Sequence, residues 1–188
     1  MIPPREQCFE LFRRYQVLPH IVRHSELVTD VALLIARKLN SGGQHLDLAL
    51  VEAGALLHDI TKTMCIKTKE NHAETGGELL TSLGYPAVAD IVRQHICLDP
   101  GSSDPNAVTE VEVINYADKR VKHEEVVDIE ERFRDVLERY VKKLPGLQAR
   151  FEEVQVETQL LEQKIFSRID ISPEQINEIF SNRNKQSL

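Results

Sequence analysis

Apolar residues recur along this chain at intervals of three and four, and the alternation that marks strands is almost missing. The pattern predicts a short helix over 5–16 and a long one from Pro19 to about Leu39, stopped by Asn40-Ser41-Gly42-Gly43. A helix over 47–59 is apolar almost all round, with only Asp47 and Glu52 clearly polar. Further helices are expected over 70–83, 86–96 and 110–121, with Gly84 capping the first and a Gly/Ser/Asp-rich loop at 100–105. Beyond residue 125 the character changes. Ile129, Phe133, Val136, Tyr140 and Leu144 form one stripe among many charges, and Leu147, Phe151, Val154, Leu161 and Ile165 a second, interrupted by Thr158. Pro145-Gly146 should break them into a helical hairpin, followed by a short helix opened by Ser172-Pro173-Glu174. The reading is all-α: a core over 1–125 and a helical extension over 126–188 packed on it as one structural unit. The extension's stripe has two uses, packing on the core or forming a homodimer.

Certain polar residues fall on these apolar stripes. His24 shares a face with Ile21, Val28, Val31 and Ile35. His72 heads the stripe Gly76, Leu79, Leu83; His95 follows Val88 and Ile91 or Val92; Asp118 sits among Val111, Ile114 and Val121. His58 and Asp59 end the most apolar helix, so part of that pair must point inward. Each alone has an ordinary explanation as a hydrogen-bonded core residue. Together they put four imidazoles and two carboxylates inside one fold, and a buried unpaired carboxylate costs several kcal/mol. Divalent transition metals (Fe, Mn, Co, Ni or Zn) reconcile them most simply, since imidazole and carboxylate suit these ions. Six donors suit two ions per chain, with one carboxylate bridging. His20, one turn before His24, is a weaker candidate, and His45 and His123 fall in expected loops and read as solvated.

Composition narrows the class. The 188 residues carry 23 Lys and Arg against 30 Asp and Glu, a net charge of −7, which argues against a nucleic-acid-binding surface covering the whole protein, though not against a local basic pocket. No apolar run could span a bilayer and no signal-peptide pattern opens the chain, so no membrane partner is expected. Cys8, Cys65 and Cys97 are odd in number and far apart, which excludes a disulfide scaffold and fits a reducing cytoplasm.

The order His24, then His58-Asp59, then Asp118 resembles the HD-domain metal-dependent phosphohydrolases, and Leu56-Leu57-His58-Asp59-Ile60-Thr61-Lys62 resembles the subgroup reading His-Asp-Ile-Gly-x-Lys, with Thr61 in place of Gly. The likeness covers about residues 20–123. It implies an all-helical bundle around a metal centre, with His24, His58, Asp59 and Asp118 on a first metal. Members with two metals add two histidines, and His72 and His95 match those positions, with Asp59 bridging. That branch includes hydrolases of dinucleoside polyphosphates and a few di-iron oxygenases. Gly84-Tyr85-Pro86 spells the tripeptide of the cyclic-di-GMP phosphodiesterases of the superfamily, but it precedes His95 and reads instead as a helix stop and start.

The resemblance implies hydrolysis of a phosphoester or phosphoanhydride of a small phosphorylated substrate, a nucleotide or dinucleotide, by a metal-activated water. Asp59 and Lys62 would be the catalytic residues. Lys62, three positions after Asp59, would reach over the phosphate; Arg23, Lys119 and Arg120 are further substrate-binding candidates, although neighbours in a helix diverge by about 100°. Glu74 and Asp99 are candidate partners of the histidines or proton acceptors. The alternatives are a di-iron oxygenase with the same ligands and a non-catalytic nucleotide-binding regulatory module.

Overall fold

The computed structural model describes the chain except residues 102–103, 140, 144 and 187–188, and the side chains of 143, 145 and 183–186. Its helices are α1 (Arg5–Arg14), α2 (Pro19–Ser41), α3 (Leu48–Leu57), α4 (Lys62–Thr68), α5 (His72–Ser82), α6 (Pro86–Gln94) and α7 (Glu110–Asp118). A two-stranded antiparallel hairpin follows, β1 (Val121–Lys122) and β2 (Glu125–Val126), and then α8 (Ile129–Arg139), α9 (Gln148–Phe166) and α10 (Pro173–Gln186). No described helix is long and apolar enough to cross a membrane.

α3 organises the interior because its apolar surface runs all round. One side, through Ala53, Leu56 and Leu57, joins a core with Cys8, Leu11 and Phe12 of α1 and Leu80, Val88 and Val92 of α5 and α6. The other side, through Val51 and Ala55, joins a larger core with α2 and α7. A Cβ on Gly54 would lie 2.8 Å from Ile114 and 3.0 Å from Ile91, so α6 and α7 reach α3 only because this residue has no side chain. Asp47 caps α3 by accepting from the backbone N–H of Ala49 and Leu50. Thr109 and Glu112 form a reciprocal capping box on α7, and Lys164 of α9 reaches the same Glu112 carboxylate at 2.6 Å.

The core continues across residue 125. Ile129 and Phe133 of α8, Leu161 and Ile165 of α9, and Ile176 and Phe180 of α10 share the cluster of α2 and α7. Thr158 is buried too, its hydroxyl satisfied by the Val154 carbonyl at 2.7 Å, so the polar break in that stripe faces inward.

Several expected boundaries move. The 47–59 helix stops at Leu57, and His58, Asp59 and Ile60 form a turn. The expected 70–83 helix begins at His72 behind an Asn71 cap, and α4 was not foreseen: seven residues are too few to show a period. The 110–121 helix ends at Asp118, and two-residue strands carry no alternation to read. α8 ends at Arg139, before Pro145-Gly146, so short 3-10 turns at Val141–Lys143 and Pro145–Leu147 separate it from α9. Leu147, placed on the second stripe, is 45 % exposed, and Tyr140 and Leu144 lie outside the described residues. Gly84 stops α5 at φ +84° and Pro86 opens α6.

Candidate metal centre

Four helices and one turn converge on one site. His24 comes from α2, His58 and Asp59 from the turn after α3, His72 from the first position of α5, His95 from the end of α6 and Asp118 from the last position of α7. They meet as two groups, each with all its donor atoms within 4.8 Å of one another: His24, His58 and Asp118, and Asp59, His72 and His95.

Asp59 joins the groups. Its Oδ1 faces His72 Nε2 at 3.2 Å and His95 Nε2 at 3.7 Å, and its Oδ2 faces His58 Nε2 at 3.3 Å and His24 Nε2 at 4.0 Å. Asp118 Oδ1 lies 3.0 Å from His24 Nε2 and 3.6 Å from His58 Nε2. Two atoms at the centre, His58 Nε2 and Asp59 Oδ1, are buried without a hydrogen-bond partner. Orphaned buried polar atoms are rare in folded proteins, and here they belong to a donor set suited to divalent ions. The residues fit a pair of such ions.

The outer nitrogens fix the rings. His58 Nδ1 contacts the Ala55 carbonyl and His95 Nδ1 the Val92 carbonyl, both at 2.7 Å; His24 Nδ1 contacts the His123 carbonyl at 3.0 Å. A backbone carbonyl only accepts, so each of these rings donates from Nδ1 and directs its Nε2 inward. Thr61, which departs from the Gly of the motif, donates its hydroxyl to the His72 carbonyl at 2.7 Å and so ties the start of α5 to the turn.

Burial alone would raise Asp59, but the charges of Lys62 and His58 outweigh it and hold the carboxyl well below its ordinary value. Burial likewise opposes Asp118, and its contacts with His24 and His58 win. His95 is pushed down to about 3 by burial and by His58, so it stays neutral. His58 is raised: burial lowers it, and the Asp59 and Asp118 carboxylates prevail. Lys62 places Nζ 2.6 Å from Asp59 Oδ2 with its side chain about one-third exposed, at the open side formed with His72 and Asp118.

The HD domain matches residues 21–171. This chain belongs to the HD-domain family. It is 32 % identical over 146 residues to a tRNA (cytidine(56)-2'-O)-methyltransferase of Thermoplasma volcanium, a match covering 68 % of this chain and 41 % of that protein. It is 27 % identical over 141 residues to Ribonuclease Y of Treponema pallidum, covering 74 % of this chain and 25 % of the relative. A second tRNA (cytidine(56)-2'-O)-methyltransferase, from Picrophilus torridus, is 35 % identical over 96 residues, half of this chain and 26 % of the relative. The HD-domain chain thus spans less than half the length of each of these curated relatives. No solved structure matches it significantly.

Three of the expected substrate contacts are engaged elsewhere. Arg23 is exposed and forms a two-point ion pair with Glu124 of β2's approach, at 2.8 and 2.9 Å, clamping the hairpin onto α2. Lys119 is buried, with Nζ on Asn115 Oδ1 (2.7 Å), the Asn115 carbonyl (3.2 Å) and the His95 carbonyl (3.3 Å). Arg120 is wholly buried on the far side of α7, bonded to the Tyr116 hydroxyl, the Val127 and Pro173 carbonyls and Asn177. Residues 118 and 120 are about 200° apart on a helix, so proximity in sequence becomes opposition in space. His20, Glu74 and Asp99 are exposed. His123, read as a solvated loop residue, contributes through its backbone carbonyl, at a positive φ of 57° in the hairpin turn. Carbonyl ligation leaves no residue-type signal in a sequence.

Proposed function

We propose that this HD-domain chain is a metal-dependent phosphohydrolase that cleaves a phosphoester or phosphoanhydride of a nucleotide or dinucleotide. The observation that carries this reading is the pair of three-residue donor groups meeting on Asp59, with His58 Nε2 and Asp59 Oδ1 orphaned between them. His24, His58 and Asp118 would hold one divalent ion and Asp59, His72 and His95 the other. When bound, such a pair lowers the pKa of a water and adds positive charge for phosphoryl oxygens.

The chain's own residues do the rest. Asp59 divides its two oxygens between the groups and fixes their separation. The three Nδ1–carbonyl contacts hold the rings so that their Nε2 atoms need no reorganisation. Lys62 neutralises Asp59 through one N–H and presents its remaining N–H groups toward the open side, where a phosphoryl oxygen can accept them. Water oxygen ends on phosphorus, the bond from phosphorus to the leaving oxygen breaks, and the water's proton ends on that oxygen.

A second reading rests on the relatives. Ribonuclease Y and the tRNA methyltransferases are named for RNA, which weighs against extending the expectation of no nucleic acid to the site itself. The scissile phosphate would then be part of an RNA strand, with the acidic surface limiting how much strand is held. Metal content per chain tests the shared premise. Protein purified without chelator should carry two ions, and His72→Ala/His95→Ala one. Hydrolysis of mononucleotides, dinucleoside polyphosphates and short RNAs then separates the substrates. Two ions with iron-specific, oxygen-dependent turnover would replace hydrolysis by the oxygenase reading. No metal uptake at all would leave a nucleotide-binding module.

A further inference from the structure

The first helix of the extension, α8, brings a guanidinium to the rim of the centre. Glu131 of α8 pairs with Lys122 of β1, and Ile129 and Phe133 are buried in the main core, so the helix is held on both flanks. A ladder of polar contacts then runs from the metal centre to Arg132. His24 Nδ1 meets the His123 carbonyl at 3.0 Å, Arg139 donates to His123 Nε2 at 2.9 Å, Arg139 Nε lies 3.1 Å from Asp135, and Asp135 lies 3.5 Å from Arg132 Nη1. The Arg132 side chain is 17 % exposed. α8 is tied to β1, the strand that follows Asp118, and from there the Arg132 charge reaches Asp118, Lys62, Lys119 and His123.

Arg132 is poorly satisfied where it stands. Nη1 has one long contact to a carboxylate that Arg139 also uses. Nε is buried with no hydrogen-bond partner, and the Nε–Nη2 edge makes no hydrogen bond among the described residues. That edge is the planar fork that takes two oxygens of a carboxylate or phosphate at once. The carboxylates of the centre are not available to fill it: Asp59 is held by Lys62 and the histidines, and Asp118 by His24. Lys62, Lys119 and Arg132 only balance Asp59, Asp118 and Asp135, so any cation held at the centre leaves this corner with excess positive charge. What completes this corner is an anion.

We propose that Arg132 binds a phosphoryl oxyanion of the substrate through its Nε–Nη2 edge, so that α8 of the extension completes the site. This rests on the phosphohydrolase reading and adds a substrate-contacting residue outside the motif. Asp135 acts as the holder of the guanidinium, fixing Nη1 while the Nε–Nη2 edge keeps no hydrogen bond of its own among the described residues.

The test uses the full chain loaded with Mn²⁺ and inorganic phosphate as the probe, followed by calorimetry. Wild type, Arg132→Gln and Arg132→Lys are compared for metal content, melting temperature and phosphate affinity. The expected result is unchanged metal content and melting temperature, phosphate binding weakened about 10- to 100-fold in Arg132→Gln, and an intermediate loss in Arg132→Lys, which keeps the charge without the fork. Equal phosphate affinity in all three overturns the proposal. So does a loss of metal or of stability that matches the loss of affinity, since that assigns Arg132 a structural role. If Arg132→Gln does not fold, Arg132→Lys decides alone: affinity equal to wild type overturns it. A wild type that loads metal and binds no phosphate is a different result, because it removes the phosphohydrolase reading first.

Discussion

α7 divides two buried polar clusters that differ in one respect. On one face Asp118 enters the His/Asp centre; on the other, Tyr116 and Arg120 meet Glu162 of α9 and Asn177 of α10. Both remove charge from water, which is costly in either place. In the Arg120 cluster the guanidinium reaches four acceptors, and the Tyr116 hydroxyl accepts from Arg120 at 2.6 Å and donates to Glu162 at 2.5 Å. None of these side-chain atoms is orphaned. In the other cluster two donor atoms are orphaned at its very centre. Saturation marks a cluster that holds the fold together, and orphaned atoms mark one that awaits a ligand.

The largest effects should separate the clusters cleanly. Asp59→Asn keeps the shape but removes the charge that joins the two donor groups. At least one ion per chain should be lost and hydrolysis should fall by about 100-fold or more, with little change in helical content. Metal analysis beside circular dichroism checks this. Full metal content in Asp59→Asn would mean that Asp59 is not shared between ions. Arg120→Met should do the reverse. It strands the Val127 and Pro173 carbonyls and Asn177 and leaves Tyr116 and Glu162 with only each other, so about 3 kcal/mol of stability should go, lowering the melting temperature by roughly 6–12 °C. Metal content measured well below the transition should be unchanged. A variant that melts like wild type would show that the extension is held by its apolar contacts alone.

Lys119 lies between the clusters and tests the comparison through pH. Burial pushes its ammonium down to about 8, against the attraction of Asp118. The unfolded chain keeps that proton to about 10.4. Between these values the unfolded state binds more protons, so stability rises with pH through this window and the gain is lost as pH falls through 8. The difference in unfolding free energy between wild type and Lys119→Met, measured by denaturant titration, should therefore grow by about 2.5 kcal/mol from pH 8 to pH 10.4. A flat difference would mean that its three acceptors keep the ammonium charged.

Much of this was legible in the sequence for a physical reason. His24, His58, His95 and Asp118 stand on faces that the apolar period assigns to the interior, and a polar residue there is conspicuous. The all-helical class followed from the same period. What the sequence hid falls into two kinds. Some contacts are made by the backbone: the His123 carbonyl orients His24, and no residue type announces it. Others depend on turns too short to carry a pattern. The β1–β2 hairpin reverses the chain in a few residues and carries it from the end of α7 into α8. Arg120 was misplaced by the opposite error, since two steps along a helix carry a side chain to the far face. Thr61, which stands in place of the motif's Gly, is a tether for His72.

The smallest effect asks whether saturation itself matters. Tyr116→Phe deletes one hydroxyl from the satisfied cluster and leaves the ring, which packs edge-on against Phe166 at 5.8 Å between centroids. Arg120 Nη1 and Glu162 Oε2 already lie 3.7 Å apart, so they can close directly on each other once the hydroxyl is gone. Glu162 is partly exposed and can draw on solvent for its second oxygen. The loss should therefore be about 1 kcal/mol, the net worth of one ordinary hydrogen bond, rather than the desolvation penalty of a stranded charge. Chemical denaturation at neutral pH measures it, with an unchanged dependence on denaturant as the sign that only stability moved. A loss of 3 kcal/mol, equal to that of Arg120→Met, would show that the pair cannot close. The hydroxyl would then be the bridge on which the whole cluster depends, and the C-terminal helices would be held to α7 through Tyr116.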